Sequence, residues 1–139
     1  MQNGGEVIGV MPRFLFEKEI AKNTITELII VNSMHERKTK MAQLADGFIA
    51  LPGGFGTLEE IAEIITWAQL DLHHCPIGLL NINSYYKNLL ALFDNMLQEG
   101  FLTNENRELI LVENTPVALM EKMQKKYLSN HDVFNSVRT

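Results

Sequence analysis

Short apolar runs alternate along this chain with longer segments whose apolar residues recur at helical spacing. The runs are four or five residues long and almost free of polar side chains, which predicts buried strands at 7–10, 27–31, 48–51, 77–80 and 109–112. The segments between them predict amphipathic helices at 34–45, 57–72, 85–99 and 116–127. Strands that are apolar on both faces are typical of a parallel sheet covered by helices on both sides. The pattern therefore predicts an α/β fold.

The predicted order of elements is that of a Rossmann-like domain, and no internal repeat or linker interrupts it. We expect one nucleotide-binding domain over residues 1–128, followed by a polar C-terminal tail at 129–139. A chain of 139 residues is long enough to bury a core of its own. In such sheets a ligand lies beyond the carboxyl ends of the strands. The segment 52–57 follows the third predicted strand and is expected to lie there.

Composition and charge narrow the classes of partner. The chain is 46% hydrophobic and 21% charged, as ordinary globular domains are, and its net charge is −5 without a long basic run. We therefore expect neither nucleic acid nor an anionic membrane surface as a partner, since both require clustered Lys and Arg. No apolar run reaches the roughly 18 residues of a membrane span. The single cysteine, Cys75, fits a reducing compartment, so we expect a cytoplasmic protein.

The glycine-rich segment 52–60, Pro-Gly-Gly-Phe-Gly-Thr-Leu-Glu-Glu, lies between a predicted strand and a predicted helix. Such a turn leaves the backbone N–H groups of a helix N-terminus without acceptors, and glycines let an anion approach them. A phosphate is therefore the expected ligand. The spacing matches neither a dinucleotide fingerprint nor a P-loop. The alternative is a tight turn that needs glycine for a positive φ.

Two carboxylates follow the glycines. Thr57 and Glu60 have the spacing of a helix capping box, and on spacing alone this interpretation is as good as a functional one. In the functional interpretation, Glu59 or Glu60 stabilises positive charge on a sugar ring or orients an attacking water.

A cationic segment, Met-His-Glu-Arg-Lys at 34–38, begins the helix after the second strand. Arg37 and Lys38 are expected at the same sheet edge as the glycine turn, where Arg can bind a phosphate or carboxylate through two hydrogen bonds. Clustered cations more often form a solvated helix face. Adjacent His73 and His74 would point apart, and no other ligand has a suitable spacing, so no metal is expected.

The segments 34–38 and 52–60 match the M-H-x-R-K and P-G-G-x-G-T-x-x-E motifs of the Lonely Guy family, and 64–70 and 76–81 also resemble it. The similarity extends to about Lys126. It implies hydrolysis of the N-glycosidic bond of adenine-type nucleoside 5′-monophosphates, cytokinin riboside monophosphates included, to free base and ribose 5-phosphate. It also implies a homodimer and no cofactor.

Matching positions imply that Arg37 and Glu60 are the catalytic pair. The resemblance further implies substrate binding by Glu19, Arg37, Lys38, Gly53, Gly54, Phe55, Gly56, Thr57, Leu58, Glu59 and Thr66. Family members carry roughly one more βαβ segment before the position of Gly4, so the expected sheet is N-terminally shortened. The alternative is a catalytically inactive nucleotide-binding fragment or paralogue that associates with a full-length homologue. The preferred N6 substituent of the base is left open.

Overall fold

The chain is described by a computed structural model over residues 3–16 and 25–136, with side chains as far as Asn130. It divides into two compact units, Met1–Ala45 and Asp46–Thr139. Each unit contains parallel strands and helices. The expectation that residues 1–128 form a single domain stays a prediction.

In the first unit, two parallel strands pair in register from Ile8 against Glu27 to Pro12 against Val31. The backbone carbonyl of Val7 accepts hydrogen bonds from the N–H groups of Thr26 and Glu27, which joins the strands at their amino ends. The elements of this unit are β1 (Ile8–Pro12), α1 (Arg13–Phe16), β2 (Glu27–Val31) and α2 (Met34–Leu44).

Helix α2 begins with a capping box, which was not among the sequence predictions. Ser33 is the N-cap, and its hydroxyl accepts a hydrogen bond from the N–H of Glu36 at 3.1 Å. The Glu36 carboxylate in turn accepts from the N–H of Asn32 at 2.7 Å. The two bonds satisfy donors that a helix N-terminus leaves without partners, and they fix the first turn of α2.

In the second unit, three parallel strands form a sheet in the order β3-β4-β5, with β4 in the centre and all four of its residues buried. A short 3₁₀ turn, Ile82–Ser84, follows β4. The elements are β3 (Phe48–Ala50), α3 (Phe55–Gln69), β4 (Ile77–Leu80), α4 (Lys87–Gln98), α5 (Asn104–Arg107), β5 (Ile110–Glu113) and α6 (Pro116–Ser136).

Both faces of β4 are packed. Ile77 and Leu79 lie in one apolar cluster with residues of α3, and Leu80 lies in another with Leu119 and Met123 of α6. Gly78 faces α6 as well, and a Cβ there would lie 2.8 Å from the sulfur of Met123. Such burial on both sides is what a near-continuous apolar run in a parallel strand requires.

The structure confirms the α/β class and the parallel strand pairing. It contradicts the predicted end of the last helix at 127, because α6 continues to Ser136 through most of the expected polar tail. Residues 128–136 contain neither Pro nor Gly, so no residue of the segment stops a helix that has already begun.

The turn between β4 and α4 contains two non-glycine residues in the left-handed region, Asn83 (φ 52°) and Ser84 (φ 58°). Left-handed backbone costs an L-residue about 1–2 kcal/mol, whereas glycine avoids this cost and pays about 0.5–1 kcal/mol of chain entropy instead. We therefore expect Ser84→Gly to raise the free energy of unfolding by about 0.5–1 kcal/mol.

Ser129→Gly is the matched control, since Ser129 lies in helical backbone of α6, where glycine should lower that free energy by about 0.5 kcal/mol. Urea denaturation of both variants measures the two signs. A Ser84→Gly variant destabilised as much as Ser129→Gly would contradict the assigned backbone conformation.

Candidate active site

The glycine-rich loop lies where β3 ends and α3 begins, at the carboxyl edge of the β3-β4-β5 sheet. Gly54 is the N-cap of α3 and has extended backbone, and its carbonyl accepts the first helical bond from the N–H of Leu58 at 3.2 Å. Gly54 has no side chain, so this N-cap contributes no side-chain hydrogen bond to the helix. The N–H groups of Phe55, Gly56 and Thr57 therefore lack an acceptor within α3, which is the arrangement that favours an anion.

The three glycines of the loop play different structural roles. None of them has a positive φ, which among the described glycines occurs at Gly4 and Gly100. The alternative that this turn needs glycine for a positive φ is therefore wrong. A Cβ on Gly53 would lie 2.2 Å from the hydroxyl of Thr57, so Gly53 is required by internal packing. A Cβ on Gly54 or Gly56 would meet nothing within 4 Å. At these two positions the fold leaves open space next to the N-terminal amides of α3.

The capping-box interpretation of Thr57 and Glu60 is also wrong. Because α3 begins at Phe55, Thr57 is its third residue and not its N-cap. Glu60 is half-buried in the second turn, four residues after Gly56, and positions four apart share a helix face. Glu59 is exposed. A carboxylate therefore lies one turn along α3 from the open amides, on the same face as Gly56.

The remaining predicted contacts on α3 are less closely grouped. Phe55 is 91% exposed at the first position of the helix. Leu58 packs against the core, and its N–H is bonded to Gly54. Thr66 is exposed and donates its hydroxyl to the carbonyl of Ala62 at 2.8 Å. Ten residues separate it from Gly56, which is about 15 Å along the helix axis.

Two predicted cations lie in the first unit. Arg37 and Lys38 are half-buried in the first turns of α2. The Nε of Arg37 donates to the carbonyl of Val10 in β1 at 3.1 Å, which fixes the plane of its guanidinium. Glu19, the other predicted contact before α3, lies outside the described residues.

Two tyrosines that lie outside the sequence motifs contact the loop. The hydroxyl of Tyr85 donates to the carbonyl of Gly53 at 2.6 Å, and that of Tyr86 donates to the carbonyl of Leu51 at 2.5 Å. They lie 32 and 35 residues from these partners along the chain. No local sequence pattern signals such a contact.

The His-His-Cys segment serves the fold. The ring of His73 bonds the carbonyl of Ile64 at 2.9 Å and accepts from the N–H of Cys75 at 3.2 Å. Burial, together with the charge of Asp46, raises the pKa of the Cys75 thiol, so it stays protonated and is a poor nucleophile. Among the described residues no group of three or more His, Cys, Asp or Glu is placed to hold a metal ion.

None of the described helices combines the length and the hydropathy that a membrane span requires.

Comparisons with known proteins agree with the motifs. A protein from Oryza sativa subsp. japonica, named as a probable cytokinin riboside 5′-monophosphate phosphoribohydrolase, is 48% identical over 93% of this chain and 61% of its own length. An Arabidopsis thaliana protein, named as a cytokinin riboside 5′-monophosphate phosphoribohydrolase, is 46% identical over 88% of this chain and 57% of its own length. The chain thus spans somewhat over half the length of these relatives.

A family model described as "Possible lysine decarboxylase" matches residues 1–123. Because this match covers most of the chain, the chain belongs to that family, which is the Lonely Guy family indicated by its two motifs.

Proposed function

We propose that this chain hydrolyses the N-glycosidic bond of adenine-type nucleoside 5′-monophosphates, cytokinin riboside monophosphates included, to free base and ribose 5-phosphate. The observation that carries the proposal is the N-terminus of α3, where the N-cap is a glycine, Gly54 and Gly56 leave open space and Glu60 lies one turn away. The names of the relatives from rice and Arabidopsis support the same reaction.

The loop binds the 5′-phosphate in this proposal. The N–H groups at residues 54–57 donate to the phosphate oxygens, and the positive end of α3 favours their charge. Because Gly54 and Gly56 have no side chains, the phosphate can approach the backbone closely. The bound phosphate then fixes the ribose relative to the second turn of α3.

The reaction breaks the bond between C1′ of the ribose and the base nitrogen. The bonding electrons leave with the base, which takes up a proton, while C1′ gains positive charge and is attacked by water, which loses a proton. The carboxylate of Glu60 stabilises the charge at C1′ and orients the water, and Arg37 orients the ribose. The remaining substrate contacts are those implied by the resemblance, at Glu19, Lys38, Phe55, Thr57, Leu58, Glu59 and Thr66.

We further propose a cytoplasmic homodimer without a nucleic-acid partner. The net charge of −5 argues against a nucleic-acid partner, and the single cysteine fits a reducing compartment. Leu70 and Leu72, after the end of α3, are more than half exposed. A second subunit that covered these two side chains would remove apolar surface from water, which favours association.

The reaction is tested by incubating purified protein with AMP and with N6-isopentenyladenosine 5′-monophosphate and following free base by chromatography. Release of base, equimolar with ribose 5-phosphate, is the expected result. Nucleotide binding without any free base would contradict the hydrolase and favour the inactive nucleotide-binding alternative.

Removing either proposed catalytic charge should abolish most activity. We expect Glu60→Gln and Arg37→Ala each to lower kcat/KM by about a hundredfold or more, because a preorganised charge in such a site contributes about 3 kcal/mol to the barrier. Glu121→Gln, on an exposed position of α6, is the matched control for the carboxylate. Thermal denaturation checks that each variant is folded. Near wild-type turnover in folded Glu60→Gln would refute its role.

Gly56→Ala separates the effect of this position on stability from its effect on substrate binding. Alanine has room at this position and is the better helix former, so the variant should gain about 0.5–1 kcal/mol of stability. Its methyl group would occupy the space proposed for the phosphate, so we expect KM for AMP to rise by about tenfold, a loss of about 1.4 kcal/mol of binding.

Gly5→Ala is the control, since its Cβ also meets nothing within 4 Å. Urea denaturation and steady-state kinetics measure the two effects. A Gly56→Ala enzyme with unchanged KM would mean that the phosphate does not bind at this turn.

A further inference from the structure

We infer that Tyr85 and Tyr86 are positioning residues that select the peptide orientation of the glycine-rich loop needed to bind the 5′-phosphate, an inference that rests on the proposed function. Neither residue belongs to the two motifs that identify the family. Their hydroxyl groups donate to the carbonyls of Gly53 and Leu51, at 2.6 and 2.5 Å. The Tyr85 distance is ordinary for an O–H···O hydrogen bond, and the Tyr86 distance is at the short limit of the range.

The bond from Tyr85 determines where the N–H of Gly54 points. The carbonyl of Gly53 and the N–H of Gly54 belong to one planar peptide group, and in a trans peptide they point in opposite directions. Because Tyr85 holds the carbonyl, the N–H is directed away from Tyr85. A rotation of this peptide by about half a turn would exchange a donor for a carbonyl oxygen, which repels an anion.

A peptide between two glycines is the one most able to rotate in this way. Gly53 and Gly54 have no Cβ, so their backbone reaches conformations that other residues avoid. The openness that admits a phosphate at Gly54 thus also permits the wrong peptide orientation. A hydrogen bond from outside the loop removes that freedom, and the Tyr85 hydroxyl donates this bond.

The second bond holds the start of the loop. The carbonyl of Leu51 precedes Pro52, whose nitrogen has no hydrogen, so that peptide has no donor of its own to fix it. Tyr86 is 2% exposed and its ring lies edge-on to that of Tyr85, with centroids 5.1 Å apart. Burial, with a smaller contribution from Tyr85, raises the pKa of Tyr86, so its hydroxyl stays a donor at neutral pH.

The tyrosines are themselves held by a well-bonded turn. The side chain of Asn81 accepts from the N–H of Tyr86 at 2.8 Å and donates to Asn114 at 3.3 Å. The N–H of Asn81 donates to the carbonyl of Glu113 at the end of β5, at 2.8 Å. These bonds connect the ends of β4 and β5 and hold the two tyrosines in place relative to the sheet.

Tyr85→Phe is the cleaner test because Tyr85 is 54% exposed, so losing its hydroxyl leaves the core unchanged. We expect the Kd for AMP to rise by about tenfold, the effect of losing one well-placed hydrogen bond, with the melting temperature within about 2 °C of wild type. The Kd for adenosine, which lacks the phosphate, should change less than about twofold. Tyr127→Phe makes the same chemical change on α6, which carries none of the proposed site residues, and should leave the Kd for AMP unchanged whatever its effect on the melting temperature.

Binding is measured by titrating ¹⁵N-labelled protein with AMP and with adenosine while following the amide resonances of Gly53, Gly54 and Gly56. In steady-state assays with AMP, Tyr85→Phe should raise KM while kcat stays within about twofold, since the phosphate is bound equally in ground and transition states. Tyr86→Phe should also weaken AMP binding, and it should lower the melting temperature as well, because it removes a hydrogen bond made by a side chain that is 2% exposed.

The inference is overturned if Tyr85→Phe binds AMP as tightly as wild type, or if it weakens AMP and adenosine equally. It is also overturned if wild-type protein does not bind AMP. If AMP binding depends on Tyr85 but no adenine is released, the proposed hydrolysis is contradicted and this inference is supported. Failure of the proposed function can thus be distinguished from failure of the inference.

Discussion

The parallel pairing of β3 with β4 is the constraint on which the candidate site in the second unit depends. Register from Phe48 against Ile77 to Ala50 against Leu79 brings the ends of both strands to one edge of the sheet. The loop after β3 carries the glycines, and the turn after β4 carries the tyrosines that bond to it. If this register slipped, the hydroxyls of Tyr85 and Tyr86 would lose their acceptors. The burial of β4 on both faces, by α3 and α6, is what holds the register.

The glycine-rich loop combines two opposing requirements. An anion site needs backbone that is open and close to the ligand, and the empty space at Gly54 and Gly56 provides this. The same lack of side chains removes the local forces that would hold the backbone in one orientation. The fold restores that order through the close packing of Gly53 against Thr57 within the segment and through the hydrogen bonds from two tyrosines outside it.

Much of the fold could be predicted from the apolar pattern. The strands β2 and β4 have the predicted bounds, because their runs are short and sharply bounded by polar residues or Pro. The end of α6 was missed since polar residues after Leu128 do not themselves stop a helix. A capping box was one of two interpretations of Thr57 and Glu60, whereas the same spacing at Ser33 and Glu36 forms one. The spacing alone does not show whether a helix begins at the Thr or Ser of such a pair.

The candidate site was predictable where its residues are adjacent in sequence and not where they are distant. The glycines and Glu60 lie in one motif, so their grouping follows from a strand, a turn and a helix in succession. Tyr85 and Tyr86 reach the loop only through the pairing of β3 with β4, which no local pattern encodes. That Gly53 serves packing and Gly54 and Gly56 leave space is likewise visible only in three dimensions.

The most direct test of the central claim is a crystal structure of the protein with ribose 5-phosphate, the proposed product. The account predicts phosphate oxygens within about 2.7–3.2 Å of N–H groups at residues 54–57, with C1′ of the ribose directed toward Glu60. The Tyr85 hydroxyl should remain bonded to Gly53 in that complex. Phosphate bound elsewhere, with the N-terminus of α3 contacted only by water, would contradict the account.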